Sequence, residues 1–182
     1  MHPSWEIKMW NYSNLFPLYN QKRFDQTNLL KQKSDIARYE IIFQYGGVYL
    51  DVDFEPLKTI EPLLHGIKAF VAWESKEFVC NGVFGGIPGH EFIKDLVLDL
   101  DSNWMTFVNG TVNQQTGPHY MTKHLKKTKL TMESGFQAFP THIFFPYPWY
   151  QDDPGFYNPL SFAVHHFSGM NRKKVLIHDS QK

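Results

Sequence analysis

The chain has 182 residues, with 18 Lys and Arg against 18 Asp and Glu, 42% hydrophobic residues and 20% charged ones. That length supports one hydrophobic core of ordinary size, so a single domain over 1–182 is expected. Zero net charge argues against a nucleic-acid binder, which carries a basic excess, and the apolar share argues against a disordered chain. The aromatic excess (16 Phe, 9 Tyr, 5 Trp) suits either flat walls that stack a sugar ring or a base, or simply a dense core.

Cys80 is the only cysteine, which excludes an internal disulfide and a Cys-cluster zinc site. It reads as a small buried apolar residue. The start, Met1-His2-Pro3-Ser4-Trp5-Glu6, lacks the basic-then-apolar pattern of a signal peptide. No run approaches the ~18 apolar residues of a membrane span. The expected setting is therefore cytoplasmic, with no membrane span and no nucleic-acid partner.

In chain order, residues 1–33 are polar and aromatic without a clear period. Ser34 reads as a helix N-cap, with Asp35 in the first turn where the helix dipole favours an anion. Ile36, Tyr39 and Phe43 then recur at helical spacing. Gly46-Gly47 ends the helix, and Val48-Tyr49-Leu50 reads as a buried strand running into Asp51-Val52-Asp53. Residues 69–73 and 79–84 read as strands, 90–100 as a helix, 118–125 as a short helix opened by Pro118, and 162–167 as a late strand. Alternating helices and short apolar strands point to an α/β fold, a mixed and mostly parallel sheet flanked by helices.

Asp51 and Asp53 are two apart, and in extended backbone residues i and i+2 face the same side. Two carboxylates then converge at the end of a strand, the edge where open α/β sheets bind ligands. Held together, they raise one another's pKa unless a cation neutralises them. A hard divalent ion, Mn²⁺ or Mg²⁺, does so with oxygen ligands and is commonly shared with phosphates. On the preceding helix Asp35 and Arg38 share a face, an acceptor and a bidentate donor suited to a hydroxyl-rich ligand. An ordinary ion pair is the plainer alternative. Trp73 and Glu74 end a strand at the edge of the acidic tip, either as an acceptor contact or as a plain rim. Lys123, His124, Lys126 and Lys127 form a basic cluster of the kind that usually marks a solvated face.

The run Ser34-Asp35-Ile36-Ala37-Arg38-Tyr39, followed by Tyr45-Gly46-Gly47-Val48-Tyr49-Leu50-Asp51-Val52-Asp53, resembles the signature of the glycosyltransferases with a DXD-containing sugar-binding region. These include Golgi initiating mannosyltransferases, capsular-polysaccharide transferases and, more distantly, toxin glucosyltransferase domains. Asn81 to His90, Thr116-Gly117-Pro118, Phe145-Pro146-Tyr147-Pro148 and His165-His166-Phe167-Ser168-Gly169 resemble later motifs of the same family, giving a motif-bearing core of 34–171. The sequence departs from the pattern twice. It starts after the family's usual first strand, and it reads Gly169-Met170-Asn171 where the family has G-S-W.

The resemblance implies a GT-A-like fold lacking that first strand, and a metal-dependent, retaining transfer from a UDP- or GDP-sugar to a glycan or other hydroxyl acceptor, in polysaccharide biosynthesis. It implies Asp53, Asp51 and His166 as ligands of Mn²⁺ or Mg²⁺, and Asp51, Asp53 and Asn81 at the reacting centre. It further implies Asp35, Arg38, Tyr39, Asp51, Asn81, Gly117 and Pro118 as substrate-binding residues. Only one of the adjacent His165 and His166 can face the site from a strand. Two alternatives stand beside a transferase. One is a sugar- or nucleotide-binding module with weakened turnover. The other is a D-x-D phosphatase, which fits poorly because Glu55 stands where that motif has Thr or Val.

Overall fold

The computed structural model describes residues 4–168. Helices α1 (Gln21–Gln26) and α2 (Leu30–Tyr45) lead into β1 (Gly47–Leu50) and the short β2 (Phe54–Pro56). The hairpin β3 (Ala69–Trp73) and β4 (Val79–Gly86) follows, then α3 (Glu91–Leu98), α4 (Leu100–Thr106), α5 (Val112–Gln115) and α6 (Pro118–Lys127). Strand β5 (Phe136–Phe139), α7 (Thr141–Phe144) and β6 (Ala163–His165) complete the order. The main sheet runs β1-β4-β3-β5, and β2 pairs with β6 in a separate two-stranded sheet.

The fold is α/β with a mixed sheet flanked by helices, but the expectation of a mostly parallel sheet is corrected. β1 and β3 both pair antiparallel with β4, and only β3–β5 is parallel. The reason is connection length. The turn between β3 and β4 closes with Glu74 N donating to Phe78 O at 3.0 Å, whereas a parallel neighbour needs a crossover of a dozen or more residues. Helices α3 to α6 supply that crossover only between β4 and β5. No strand precedes β1 among the described residues, and β1 stands at the open edge of the sheet.

Two cores sandwich the sheet. On one face Ile36, Tyr39 and Ile42 of α2 meet Phe84, Ile93, Leu96 and Tyr120. On the other, Phe70, Ala72, Cys80 and Val83 meet Phe144, Phe145 and Val164. Each fully buried large side chain contributes about 1.5–3 kcal/mol, so both faces hold the sheet's end in place.

Helix α2 starts at Leu30, four residues before the expected N-cap. Thr27 Oγ1 accepts from the amide of Leu29 at 3.1 Å, and Ser34 lies inside the helix, where its Oγ accepts from Arg38 Nη2 at 2.9 Å. The helix stops as expected at Gly46, with φ 69°. A Cβ there would lie 2.6 Å from Pro88 Cδ, so both the left-handed backbone and the close approach require glycine. The expected 90–100 helix is two, broken at Asp99, with His90 as the cap of the first.

Candidate functional site

The site lies where α2, the end of β1 and the middle of β4 meet. Arg38 projects from α2 into it and is 6% exposed. Its Nη1 donates to Asn81 O at 2.8 Å, while Asp51 Oδ1 and Asp35 Oδ1 lie 3.3 and 3.4 Å from the guanidinium. The guanidinium also covers the ring of Tyr49 at 4.5 Å. Burial works against the Arg38 charge, but Asp35, Tyr49, Asp51 and Tyr39 together more than offset it, so the group is held ionised.

Behind Arg38 the hydrogen bonds close on themselves. Asn81 Nδ2 donates to Asp35 Oδ1 at 2.8 Å and to Tyr39 Oη at 3.0 Å. Tyr39 donates to the Thr116 carbonyl at 2.6 Å, and Thr116 Oγ1 donates to Asp35 Oδ2 at 2.8 Å. Asp35 and Thr116 are 1% and 0% exposed, so this cycle satisfies polar groups that would otherwise be costly to bury. Burial pushes the Asp35 carboxyl up, and Arg38, Thr116 and Asn81 pull it back. The three separated motifs around Asp35, Asn81 and Thr116 are thus one network.

Asn81 reaches α2 because β4 is irregular there. The β3–β4 register jumps between Val71↔Phe84 and Ala72↔Cys80, which leaves Asn81, Gly82 and Val83 unmatched on β3. Such a bulge re-aims side chains, and bulges gather beside binding sites. At Gly82 the missing Cβ makes room for Asp51, since one built there would lie 2.6 Å from Asp51 Oδ2.

Asp51 is fixed by two donors, Tyr49 Oη at 2.8 Å and Arg38. Burial pushes the Tyr49 phenol up to about 12, with the Arg38 charge opposing that rise and the Asp51 carboxylate adding to it. It therefore stays a donor at neutral pH. Asp53 receives the amide of Ser168 at 2.9 Å and faces His165 Nε2 at 3.0 Å. The amide is aimed by Phe167, a non-glycine residue at φ 51°, a conformation costing about 1–2 kcal/mol and typical of functional positions.

Asp51, Asp53 and His165 each present a ligand atom, all within 4.8 Å of one another. His165 stacks on Phe54 at 4.4 Å, and its buried Nδ1 has no hydrogen-bond partner. Two carboxylates and an imidazole suit a Mn²⁺- or Mg²⁺-sized ion.

Of the expected residues, Asp35, Arg38, Tyr39, Asp51 and Asn81 come together, and Asp53 lies at the same tip. His166 does not join the aspartates. Its Nε2 faces Glu55 Oε2 at 2.9 Å and its Nδ1 faces Asp153 Oδ2 at 3.3 Å. The cause is strand alternation: β6 pairs His165 with Phe54 and turns the next residue outward. Gly117 and Pro118 start α6 behind the network, which Thr116 enters instead. Thr116 and Tyr49 carried no sequence signal beyond their place in motifs. The G-M-N departure at Gly169-Met170-Asn171 lies outside the described residues. A cleft of about 1190 Å³ runs along the open edge of β1 and meets Arg38 and Asp51; Trp5, Trp10, Tyr45 and Val48 line it.

Sequence comparison matches this architecture. The model of a family described as "Glycosyltransferase sugar-binding region containing DXD motif" matches residues 1–69. Inositol phosphoceramide mannosyltransferase 3 of Schizosaccharomyces pombe is 30% identical over 131 residues, 67% of this chain and 36% of that protein. Alpha-1,4-N-acetylglucosaminyltransferase of Homo sapiens is 31% identical over 113 residues, 62% of this chain and 31% of that protein. Lactosylceramide 4-alpha-galactosyltransferase of Rattus norvegicus is 31% identical over 131 residues, 66% and 33% of the two chains. The chain spans about a third of the length of these relatives. The matched region takes in α2, β1 and both aspartates of the tip, and with the relatives it establishes that the chain belongs to the glycosyltransferases whose sugar-binding region contains the DXD motif.

Proposed function

We propose that this chain forms the donor-binding and catalytic part of a divalent-metal-dependent glycosyltransferase of GT-A type, moving a sugar from a UDP- or GDP-sugar to a hydroxyl of a glycan or glycolipid. The observation that carries this reading is the convergence of Asp51, Asp53 and His165 within 4.8 Å, next to a buried arginine that orients Asp51. The glycolipid acceptor is suggested by relatives whose names specify inositol phosphoceramide and lactosylceramide. It stands in place of the polysaccharide acceptor expected from sequence.

The carboxylates of Asp51 and Asp53 and Nε2 of His165 would hold the ion. The ion would supply Lewis-acid stabilisation of the diphosphate leaving group. The chain's own residues do the rest. Arg38 and Tyr49 hold Asp51 in one orientation, so little reorganisation accompanies the reaction. The Phe167 turn and the Ser168 amide hold Asp53. The Asp35–Asn81–Tyr39–Thr116 cycle makes a rigid wall that presents Asn81 beside the anomeric carbon. The cleft beside β1 accommodates the nucleoside against Trp5, Trp10 and Tyr45. As the bond from the anomeric carbon to the diphosphate breaks, the acceptor oxygen forms its bond on the same face. Its proton leaves with the departing phosphate oxygen, so configuration is retained. All of this lies in one domain, with the motif-bearing core at 34–171.

Incubation with GDP-mannose, UDP-galactose and UDP-N-acetylglucosamine, with and without Mn²⁺, tests the reading. Metal-dependent release of GDP or UDP from one of them is expected. Binding of the nucleotide sugar without release, with any acceptor, instead identifies a sugar-binding module.

A further inference from the structure

Helix α2 carries a second buried carboxyl, on the side away from Arg38. Glu40 follows Arg38 by two residues, about 200° around the helix, and is 3% exposed. Its Oε2 accepts from the amide of Tyr19 at 2.5 Å. Its Oε1 accepts from the amide of Asn20 at 2.8 Å and from Asn20 Nδ2 at 2.9 Å. Burial pushes the Glu40 carboxyl up, and the donors of Asn20 and Tyr19 pull it back. Asn20 stands just before α1, where its side chain would ordinarily cap that helix. No such cap bond forms; Nδ2 is divided instead between Glu40 and the Val97 carbonyl of α3, 2.9 Å away. One carboxylate thus ties α2 and α3 to the end of the segment that precedes α1.

That segment, residues 4–20, holds no helix or strand, yet from Trp5 to Tyr12 it lines the cleft beside β1. Trp10 packs at 5.1 Å against Tyr45, the last residue of α2. Phe16 packs at 5.9 Å against Trp10 and at 5.4 Å against Tyr45, and Lys8 Nζ lies 4.4 Å over the Trp10 ring. At the base of the segment Leu18 is buried, but apolar burial has no direction. Hydrogen bonds do, and those to a carboxylate are the stronger kind. Two successive amides fixed on one carboxylate therefore set the course of the chain as it leaves the core, and with it the place of Trp10 in the cleft. Glu40 does not border the cleft and acts only through the segment it holds. Resting on the transferase reading above, we propose that Glu40 is a positioning residue for the donor nucleotide, holding residues 5–12 as the aromatic wall against which the nucleoside packs.

Glu40→Gln keeps the size of the side chain, but its NH₂ meets a backbone amide donor whichever way the group is turned. Binding of UDP and GDP with Mn²⁺ is measured by titration calorimetry for wild type, Glu40→Gln, Trp10→Ala and the double variant, with Tm for each. KM and kcat are read with whichever nucleotide sugar is cleaved. Glu40→Gln is expected to raise Kd and KM about tenfold with kcat little changed, and the double variant to bind within about twofold of Trp10→Ala, because both changes act on one wall. Asn20→Ala removes a single donor, so it is expected to raise Kd about threefold; it carries the test if Glu40→Gln is unfolded. A purely structural carboxyl would lower Tm and leave Kd alone. Wild-type Kd in the folded Glu40 or Asn20 variant, wild-type Kd in Trp10→Ala, or full additivity in the double variant overturns the role of Glu40 and leaves the transferase reading intact. A wild-type protein that neither binds nor releases nucleotide with Mn²⁺ overturns both.

Discussion

Gly82→Ala is the sharpest probe of how Asp51 is held. The added methyl would lie 2.6 Å from Asp51 Oδ2, and 3.3 Å from both Asp51 Cγ and Cys80 Sγ. Ordinary contact begins near 3.4 Å, so one partner must give by about 0.8 Å. The strand β4 is pinned between β1 and β3, whereas the Asp51 carboxylate is the free end of a half-exposed side chain. The carboxylate therefore moves and the fold stays, at a cost within about 1–3 kcal/mol. A shift of that size exceeds the ~0.5 Å tolerance of a preorganised constellation and breaks the 2.8 Å bond from Tyr49. Loss of an orienting partner typically lowers metal affinity about 10–100-fold, and the same range is expected for Mn²⁺ with UDP or GDP in titration calorimetry. Folding is checked by Tm and far-UV circular dichroism. Wild-type Mn²⁺–nucleotide affinity in a folded Gly82→Ala variant would refute the role given to the Asp51 orientation.

Asp53→Ala is expected to abolish metal-dependent nucleotide release while leaving circular dichroism unchanged; unaltered turnover would remove Asp53 from the site. Asp35→Ala takes the acceptor from buried Asn81 Nδ2 and Thr116 Oγ1 and one of two carboxylates from buried Arg38, and removing one partner of a buried pair costs about 3–5 kcal/mol. Chemical denaturation should show it, and a loss under about 1 kcal/mol would mean that the cycle carries no structural weight. His124, 3.1 Å from Asp99, is pushed below 6.5 by burial, with Lys123 adding to that effect and Asp99 and Asp95 opposing it. The folded state then binds fewer protons than the unfolded one, so His124 contributes stability above pH 6.5 that is lost as pH falls through its folded value. Denaturation at pH 7.5 and 5.5 should lose less stability in His124→Gln than in wild type. An equal loss contradicts the burial effect.

The parts of this fold legible in the sequence are those with a local cause. Strand β3 was expected over 69–73 and occupies that span, and α6 starts at Pro118 as expected, because an apolar run and a first-turn proline act within a few residues. The start of α2 was misplaced because Ser34 looks like a cap, yet its hydroxyl is taken by Arg38 one turn later. Strand β6 falls within the late strand expected over 162–167, but β5, β2 and the β2–β6 pairing are not legible because their stability comes from partners far along the chain, as in Phe54↔His165. The site divides the same way. The aspartate pair and the Asp35–Arg38 face follow from spacing. That Thr116 closes the network, that Gly82 clears space for Asp51 and that His165 rather than His166 turns inward all depend on the β4 bulge and the β6 register. Neither leaves a trace in local pattern.

The central claim is that Asp51, Asp53 and His165 together hold a divalent cation, and crystals soaked with Mn²⁺ and UDP or GDP test it most directly. Anomalous density at the manganese edge is predicted between the two carboxylates, within coordination distance of His165 Nε2 and of a nucleotide phosphate oxygen. Manganese absent from that position, or bound instead among His166, Glu55 and Asp153, would contradict it.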